Sequence, residues 1–402
     1  MIWEIPSPLQ DLIIERALGL SMMEKSHQGD LPKEVLAKAA AALAELSETF
    51  TVSRSNIKNR YLDDPNTRAA YLLYFLPSNL PKIWYVLDEL SRHPAILKGR
   101  DRLRILDLGA GVGTASIAAV WRISETLPEV RNLEIVAVDN TISALSDCRW
   151  FVDRIAAVAR QNGSSITVEL RTEAQNVEKY TSADSGNYDL IFLSNSLNEL
   201  FRNTADPLME RTRYLDRFCN QYLADDGAVI IIEPALLDVS RSFHIVRNQL
   251  IDAGWHLHSP CVSDRQCPML LRDRDWCHHV LDWHRPRVVK QLDEMIGNRK
   301  EHLKFSYIVL RKDNLRASDV YPHPGRVYRA VDDLQREKGK DMIYLCGSTE
   351  PLTHTLLKRD RSNSNRDFVS INRGDLVEIE RKSEIINARL SSTDAVRILS
   401  EE

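Results

Sequence analysis

Two sets of residues in this 402-residue chain have the types and spacing for chemistry. The first is a glycine turn, Gly109-Ala110-Gly111-Val112-Gly113, entered from the apolar run Ile105-Leu106-Asp107-Leu108 and followed at once by a helix-compatible run, Thr114 to Leu127. Glycine admits positive φ and lets a ligand approach the backbone closely. Free N–H groups in such a turn, with a helix start behind it, favour electron-rich atoms, so the turn is a nucleotide-sized cradle. The second set is Cys261, Cys267 and Cys277 in PCVSDRQCPMLLRDRDWCHHVLDWHRP, with Cys346 following the apolar run Met342–Leu345. Three thiols in seventeen residues are hard to explain as independent buried apolar groups. Four thiolates can hold zinc or an iron–sulfur cluster. Neither gap fits a C-x2-4-C zinc knuckle, and the C-x3-C-x2-C pattern is absent, so spacing points to a metal and leaves its identity open. His256, His258, His278, His279 and His284 are alternative ligands, most of them expected on the surface or behind the thiols.

The cradle admits two cofactor classes, a nicotinamide or flavin dinucleotide and S-adenosylmethionine. A dinucleotide turn wants G-x-G-x-x-G. The turn here is one residue tighter, with Asp107 two residues before Gly109. DLGAGVG resembles the first motif of the seven-strand S-adenosylmethionine-dependent methyltransferase fold. That fold carries an acidic residue after its second strand to hold the ribose hydroxyls. Asp139 stands in that place, and a carboxylate can accept both hydroxyl protons. The resemblance implies cofactor contacts at Asp107, Gly109, Ala110, Gly111, Gly113 and Asp139, and at Ser194 and Asn195 after the fourth strand. No catalytic residue stands out. The stretch Leu193 to Leu200, LSNSLNEL, lacks the Pro-Pro-aromatic motif of amino-directed nucleic-acid methyltransferases. Cys219 falls inside a predicted helix and is expected in the core. Glu199 reads equally well as a base or as a helix-start carboxylate.

The elements that position these residues follow from periodicity. Residues 1–98 read as helical, with an Ala/Leu/Glu-rich helix from Leu31 to Phe50 and a second helical region broken near Pro77 and Pro81. Its aromatics, Tyr71, Tyr74, Phe75, Trp84 and Tyr85, are expected mainly in helix packing rather than in a base-stacking surface. From about 102, short apolar strands alternate with helices: Leu103–Leu108, Leu133–Val138, Ile166–Leu170, Tyr188–Leu193 and Ala228–Ile232, with a sixth near 254–258 and a seventh at Lys304–Leu310. This predicts a Rossmann-like α/β core over 99–313, a mostly parallel sheet covered on both faces, with a cysteine-rich insertion at 257–285. Strand-like runs at Arg326–Val331, Met342–Leu345, Thr353–Lys358, Phe368–Ile371 and Leu376–Ile379 predict a small β-rich domain over 314–384. A helix or loose tail is expected over 385–402.

Net charge is −4, which excludes a generic polyanion binder. Between Arg299 and Arg373, however, 16 Lys/Arg face 10 Asp/Glu, a local +6 on a remainder of −10. Such a basic end is compatible with RNA or phosphate contact and equally with ordinary solvated faces. No apolar stretch is long enough to span a bilayer. The first residues, with Glu4, Asp11 and Glu15, resemble neither a secretory signal nor a transit peptide, which predicts a cytoplasmic protein of bacterial type, or a mature form whose presequence is absent. Six cysteines in such a chain predict thiols or metal ligands rather than a disulfide scaffold.

CxxxxxCP, the Trp276-Cys277 pair, the strand KFSYIVL and the late cysteine together resemble the methyltransferase-like small-ribosomal-subunit assembly factors of mitochondria and bacteria. The resemblance covers most of the chain and is strongest at 104–116, 188–200, 228–234, 261–277 and 304–310. It implies a four-iron four-sulfur cluster on Cys261, Cys267, Cys277 and Cys346, with the small ribosomal subunit and its rRNA as partners. It also implies a monomer off the ribosome, with methyl transfer an open question. Ala235 departs from it, since a glycine is usual after Glu233-Pro234. Two other functions compete: an rRNA methyltransferase with an unfamiliar acceptor site, and a small-molecule methyltransferase with a structural zinc. If residues 254–258 form strand six, the insertion leaves the carboxyl edge of the sheet. The metal should then lie on the cofactor side, with Cys346 clamping the β-rich end to the core.

Overall fold

The computed structural model describes residues 2–20, 31–51, 60–182, 187–321, 325–347, 352–381 and 388–399. The chain opens with a short strand, β1 (Trp3–Glu4), followed by α1 (Ser7–Leu20), α2 (Lys33–Thr51), α3 (Pro65–Ala70) and α4 (Leu76–Arg92). The start is therefore not wholly helical. Nor is there a break at the two prolines. Asp64 caps α3 by accepting the Thr67 N–H at 2.7 Å. Pro77 then has no N–H for the Leu73 carbonyl, and the turn Tyr71–Phe75 widens to a π turn in which the Leu76 N–H reaches Tyr71 O. The helix continues through the prolines instead of ending at them.

The core alternates strand and helix: β2 (Arg102–Leu108), α5 (Thr114–Thr126), β3 (Asn132–Asp139), α6 (Ile142–Gln161), β4 (Thr167–Ala174), β5 (Tyr188–Ser194), α7 (Pro207–Tyr222), β6 (Leu223–Pro234), α8 (Leu237–Asp252), β7 (His256–Ser259), β8 (His279–His284), α9 (Arg287–Ile296) and β9 (His302–Arg311). The sheet order is β4-β3-β2-β5-β6-β9, with β7 and β8 both on the far side of β9 and β1 outside β8. β2 to β6 are parallel, while β9 runs antiparallel to β6 and β7. A parallel sheet whose last strand is reversed and inserted beside the fifth is the seven-strand methyltransferase arrangement that the glycine motif leads one to expect.

Alternation along the strands divides the core in two. Ile105, Ile135, Leu190, Phe192 and Ile230 pack under α4, α5 and α6. Leu106, Val136, Ile191, Leu193 and Ile231 pack under α7 and α8. The His-rich run of the insertion is a strand: β8 pairs antiparallel with β9 and in parallel with β1, whose Trp3 faces Trp283.

The end of the chain forms a separate sheet with its own apolar core: β10 (Arg326–Ala330), β11 (Gln335–Glu337), β12 (Lys340–Gly347), β13 (Leu352–Leu357), β14 (Leu376–Glu380), β15 (Arg389–Leu390) and β16 (Ala395–Ile398). Its order is β15-β13-β12-β10-β14-β16, with β11 on β12. Two expectations change here. Phe368–Ile371 is not a strand: a 3-10 turn over Arg366–Ser370 plugs the fully buried Phe368 ring into this core. The expected tail holds β15 and β16, the latter paired with β14, while 385–387 and 400–402 lie outside the described residues.

Candidate functional site

β2, β3, β5 and β6 end at one edge of the sheet, where open α/β folds bind ligands. A cleft of about 760 Å³ opens there, lined by Asp107, Gly109, Ala110, Gly111, Asp139, Ser194 and Asn195. Asp139, the last residue of β3, accepts the Gly111 N–H at 2.9 Å with Oδ2 and the Thr141 N–H at 2.8 Å with Oδ1. Each oxygen keeps a lone pair for a ligand hydroxyl. Burial raises its pKa against the pull of these donors. Asp107 plays a different part. It is 1% exposed, and its Oδ2 accepts both the N–H and the hydroxyl of Ser116, at 3.0 and 2.7 Å. It holds down the first turn of α5, and burial pushes its pKa up to about 6.

The turn itself differs from a cradle of free donors. The Gly109 and Ala110 N–H groups both donate to Val138 O, Gly111 to Asp139, and Gly113 to Ala110 O. Three left-handed glycines are needed, for unlike reasons. A Cβ on Gly109 would stand 2.5 Å from Ser196 Cβ, and one on Gly113 would stand 2.4 Å from Cys148 Sγ. Gly113 thus serves packing and does not line the cleft. A Cβ on Gly111 would meet only Leu62 Cδ1, at 3.5 Å, so that position is open toward the cleft.

After β5 the polar side chains hold one another. Asn195 sits at φ +58°, its N–H donating to Ile232 O at 2.7 Å. Ser196 Oγ donates to Leu108 O at 2.8 Å. The buried Glu233 carboxylate accepts the Asn198 N–H at 3.2 Å and its side-chain amide. Arg211 binds the carbonyls of Leu200 and Asn198 at 2.9 and 2.8 Å. Cys219 is core, inside α7.

Of the opposite wall of the cleft, sequence reasoning named Tyr71 and Phe75, as helix packing, and did not single out Asn79, Lys82 or Lys300. Tyr71 and Phe75, from the π turn, line it together with Asn79 and Lys82 of α4 and Lys300 from the segment before β9. Tyr74 and Trp84 are buried, as helix packing requires, and Tyr85 stacks on His279 at 4.3 Å. The available signal was Lys82 itself, a cation set between Leu80, Pro81, Ile83 and Trp84 on an apolar helix.

The four thiols meet. Cys261, Cys267, Cys277 and Cys346 line one small cavity of about 50 Å³ beside Ser306, Tyr307 and Ile308 of β9, with β12 bringing Cys346 over the insertion. Among the described residues no three His, Cys, Asp or Glu converge as a single ion's ligands would. The thiols surround a shared space instead. Burial and the neighbouring thiolates push Cys267 up to about 12 and Cys277 further, so the set resists ionising together without a cation among it. Arg247, 2% exposed, lies against Cys261, and Arg265 Nη2 reaches Cys346 Sγ at 3.9 Å. Three histidines, His244, His278 and His279, line this cavity. His256 pairs with Asp264 at 2.9 Å, and His284 stands 3.7 Å from Glu4. His258 Nδ1 bonds Leu315 O at 2.9 Å.

Comparison with known proteins gives one family. A family model described as the mitochondrial small ribosomal subunit Rsm22 matches residues 65–377. No curated protein matches the chain. Solved structures similar to it include a candidate class I S-adenosylmethionine-dependent methyltransferase of Listeria monocytogenes, 10% identical, over 79% of this chain and 91% of that one, TM-score 0.40. A SAM-dependent methyltransferase of Agrobacterium tumefaciens is 12% identical, over 59% and 63%, TM-score 0.34.

Proposed function

The chain belongs to the family of the mitochondrial small ribosomal subunit protein Rsm22, and from that premise we propose that it is an S-adenosylmethionine-binding factor of the small ribosomal subunit that works on rRNA by binding. The observation that carries this reading is the cleft edge itself. Asp139 and the open Gly111 face a ligand, while the segment after β5 spends Ser196 and Asn198 on internal hydrogen bonds.

In this reading Asp139 holds the ribose hydroxyls, Gly109, Ala110 and Gly111 let the cofactor lie on the turn, and Ser194 and Asn195 border its far side. Asp107 acts through Ser116 by fixing the helix start. The bound cofactor supplies a sulfonium group beside the acceptor side of the cleft. Glu199 lines the cleft with Asp139 and is the candidate base for a methyl acceptor, so the platform role is supported by the missing acceptor motif after β5 and by the internal hydrogen bonds of Ser196 and Asn198.

The donor set of the thiol cavity suits a four-iron four-sulfur cluster on Cys261, Cys267, Cys277 and Cys346. Four thiols line one cavity, and the guanidinium groups of Arg247 and Arg265 beside them would offset the charge of four thiolates. Such a cluster supplies a cross-link between the insertion and β12, so its assembly is coupled to folding.

Anaerobic purification with iron, sulfide and zinc analysis and Mössbauer spectra tests the metal. Stoichiometric zinc in a colourless protein would defeat the cluster. Crosslinking to RNA in cells, with methylation mapping of small-subunit rRNA on the same sample, tests the function. The expected result is rRNA contacts and no methylation lost on deletion. One reproducibly lost site would make the protein an rRNA methyltransferase, and no rRNA contact would favour a small-molecule substrate.

A further inference from the structure

The wall of the cleft opposite the glycine turn carries two cations without a counter-ion. Lys82 is 8% exposed, and its Nζ has one hydrogen bond, to Asn79 Oδ1 at 2.7 Å. Lys300 Nζ donates to Ser78 Oγ at 3.2 Å and sits over the rings of Tyr74 and Phe75, at 4.4 and 5.0 Å. The carboxylate nearest to Lys300, Asp293, is engaged by Arg285, by the Tyr74 hydroxyl and by the Lys300 N–H. Among the described residues neither ammonium has an ion pair. Burial first, and Lys300 second, push Lys82 down to about 7, while burial takes Lys300 down to about 8.

Two like charges drawn partly out of water form a costly arrangement, which an anion between them would relieve. The place is continuous with the cofactor cradle. Tyr71 lies beside Thr114, at the start of α5, and beside Asn79, which holds Lys82. A ligand lying on the glycine turn can therefore extend past Tyr71 to both lysines.

We propose that Lys82 and Lys300 form an oxyanion subsite of the cleft, which takes a carboxylate or phosphate of the ligand that reaches past Tyr71. This rests on the cofactor-cleft reading above, and the test separates the two. Binding to the full-length protein is measured by calorimetry for S-adenosylhomocysteine, for 5′-methylthioadenosine, which lacks the amino-acid carboxylate, and for a short RNA. Lys82→Met and Lys300→Met should weaken one charged ligand by about tenfold or more, a charge-assisted hydrogen bond's worth. Lys82→Arg should retain most of the affinity, and 5′-methylthioadenosine should bind every variant alike. Loss for S-adenosylhomocysteine assigns the subsite to the cofactor carboxylate, and loss for RNA assigns it to phosphate. Unchanged affinity for both, in variants that melt at or above the wild-type temperature, overturns the proposal. Failure of the wild type to bind 5′-methylthioadenosine would instead remove the cofactor reading, and the RNA measurement alone would then decide the subsite.

Discussion

At the scale of single residues, the three glycines separate folding from binding. Gly113→Ala combines positive φ with a clash against Cys148, whereas Gly111→Ala meets open space. Gly113→Ala should lower stability by roughly 2–3 kcal/mol and Gly111→Ala by about 1, read by urea denaturation. Gly111→Ala should lose more cofactor affinity than stability. Asp139→Asn should likewise weaken binding about tenfold or more with little change in melting temperature, while Asp107→Asn should destabilise the protein. The motif announced all of these positions, but not which of them face a ligand, because only the packing of Cys148 and Ser116 distinguishes them. A pH effect belongs here too. Burial lowers His258 from 6.5 to about 4, and lowers His93, whose ring lies 6.2 Å away. Between those pH values the unfolded chain binds protons that the folded chain refuses, so stability falls as pH drops from 6.5 toward 4. Melting curves from pH 7 to 5 should show this fall, and His258→Gln should reduce it.

At the scale of elements, α4, β9 and β10 are tied by charge. Arg329 donates to Glu89 at 2.8 Å, to Pro260 O at 2.8 Å and to Gly374 O at 2.7 Å, and Tyr307 donates to Glu89 at 2.7 Å, all out of water. Arg329→Met leaves the Glu89 carboxylate buried alone and should cost about 3–5 kcal/mol. The double variant with Glu89→Gln should cost less than the two single changes added together, read from urea midpoints. Nothing in the sequence signals a pair 240 residues apart. The same blindness affected the basic stretch. Lys312 pairs with Asp225, Arg316 with Asp264 and Arg329 with Glu89, all acids outside the stretch, so part of its excess charge is structural. β8 escaped notice because its inward positions, His279, Leu281 and Trp283, begin with a histidine that reads as polar. The core strands were legible because they are buried on both faces and read as continuous apolar runs.

At the scale of the whole molecule, the thiol cavity joins the insertion to the C-terminal sheet through Cys346 and the apolar contact of Met269 with Val331. Cys346→Ser, or removal of the proposed cluster, should therefore loosen β12 and its neighbours and leave β2 and β3 untouched. Hydrogen exchange should rise across β10 to β14 and stay unchanged around Asp139. Equal protection of β12 with and without metal would show that the sheet is held by its own core. Cysteine spacing suggested a shared site, and the four thiols line one cavity, but the partner strand was visible only in the fold. The pairing of β1 with β8 adds a temporal dimension. Trp283 leaves the ribosome about 280 residues after its partner Trp3, on the order of tens of seconds at ordinary synthesis rates. Until then β1 has no edge to join, and the nascent chain must keep its first helices from pairing elsewhere. The edge of this sheet is therefore closed only after all of the parallel core, β2 to β6, has been made.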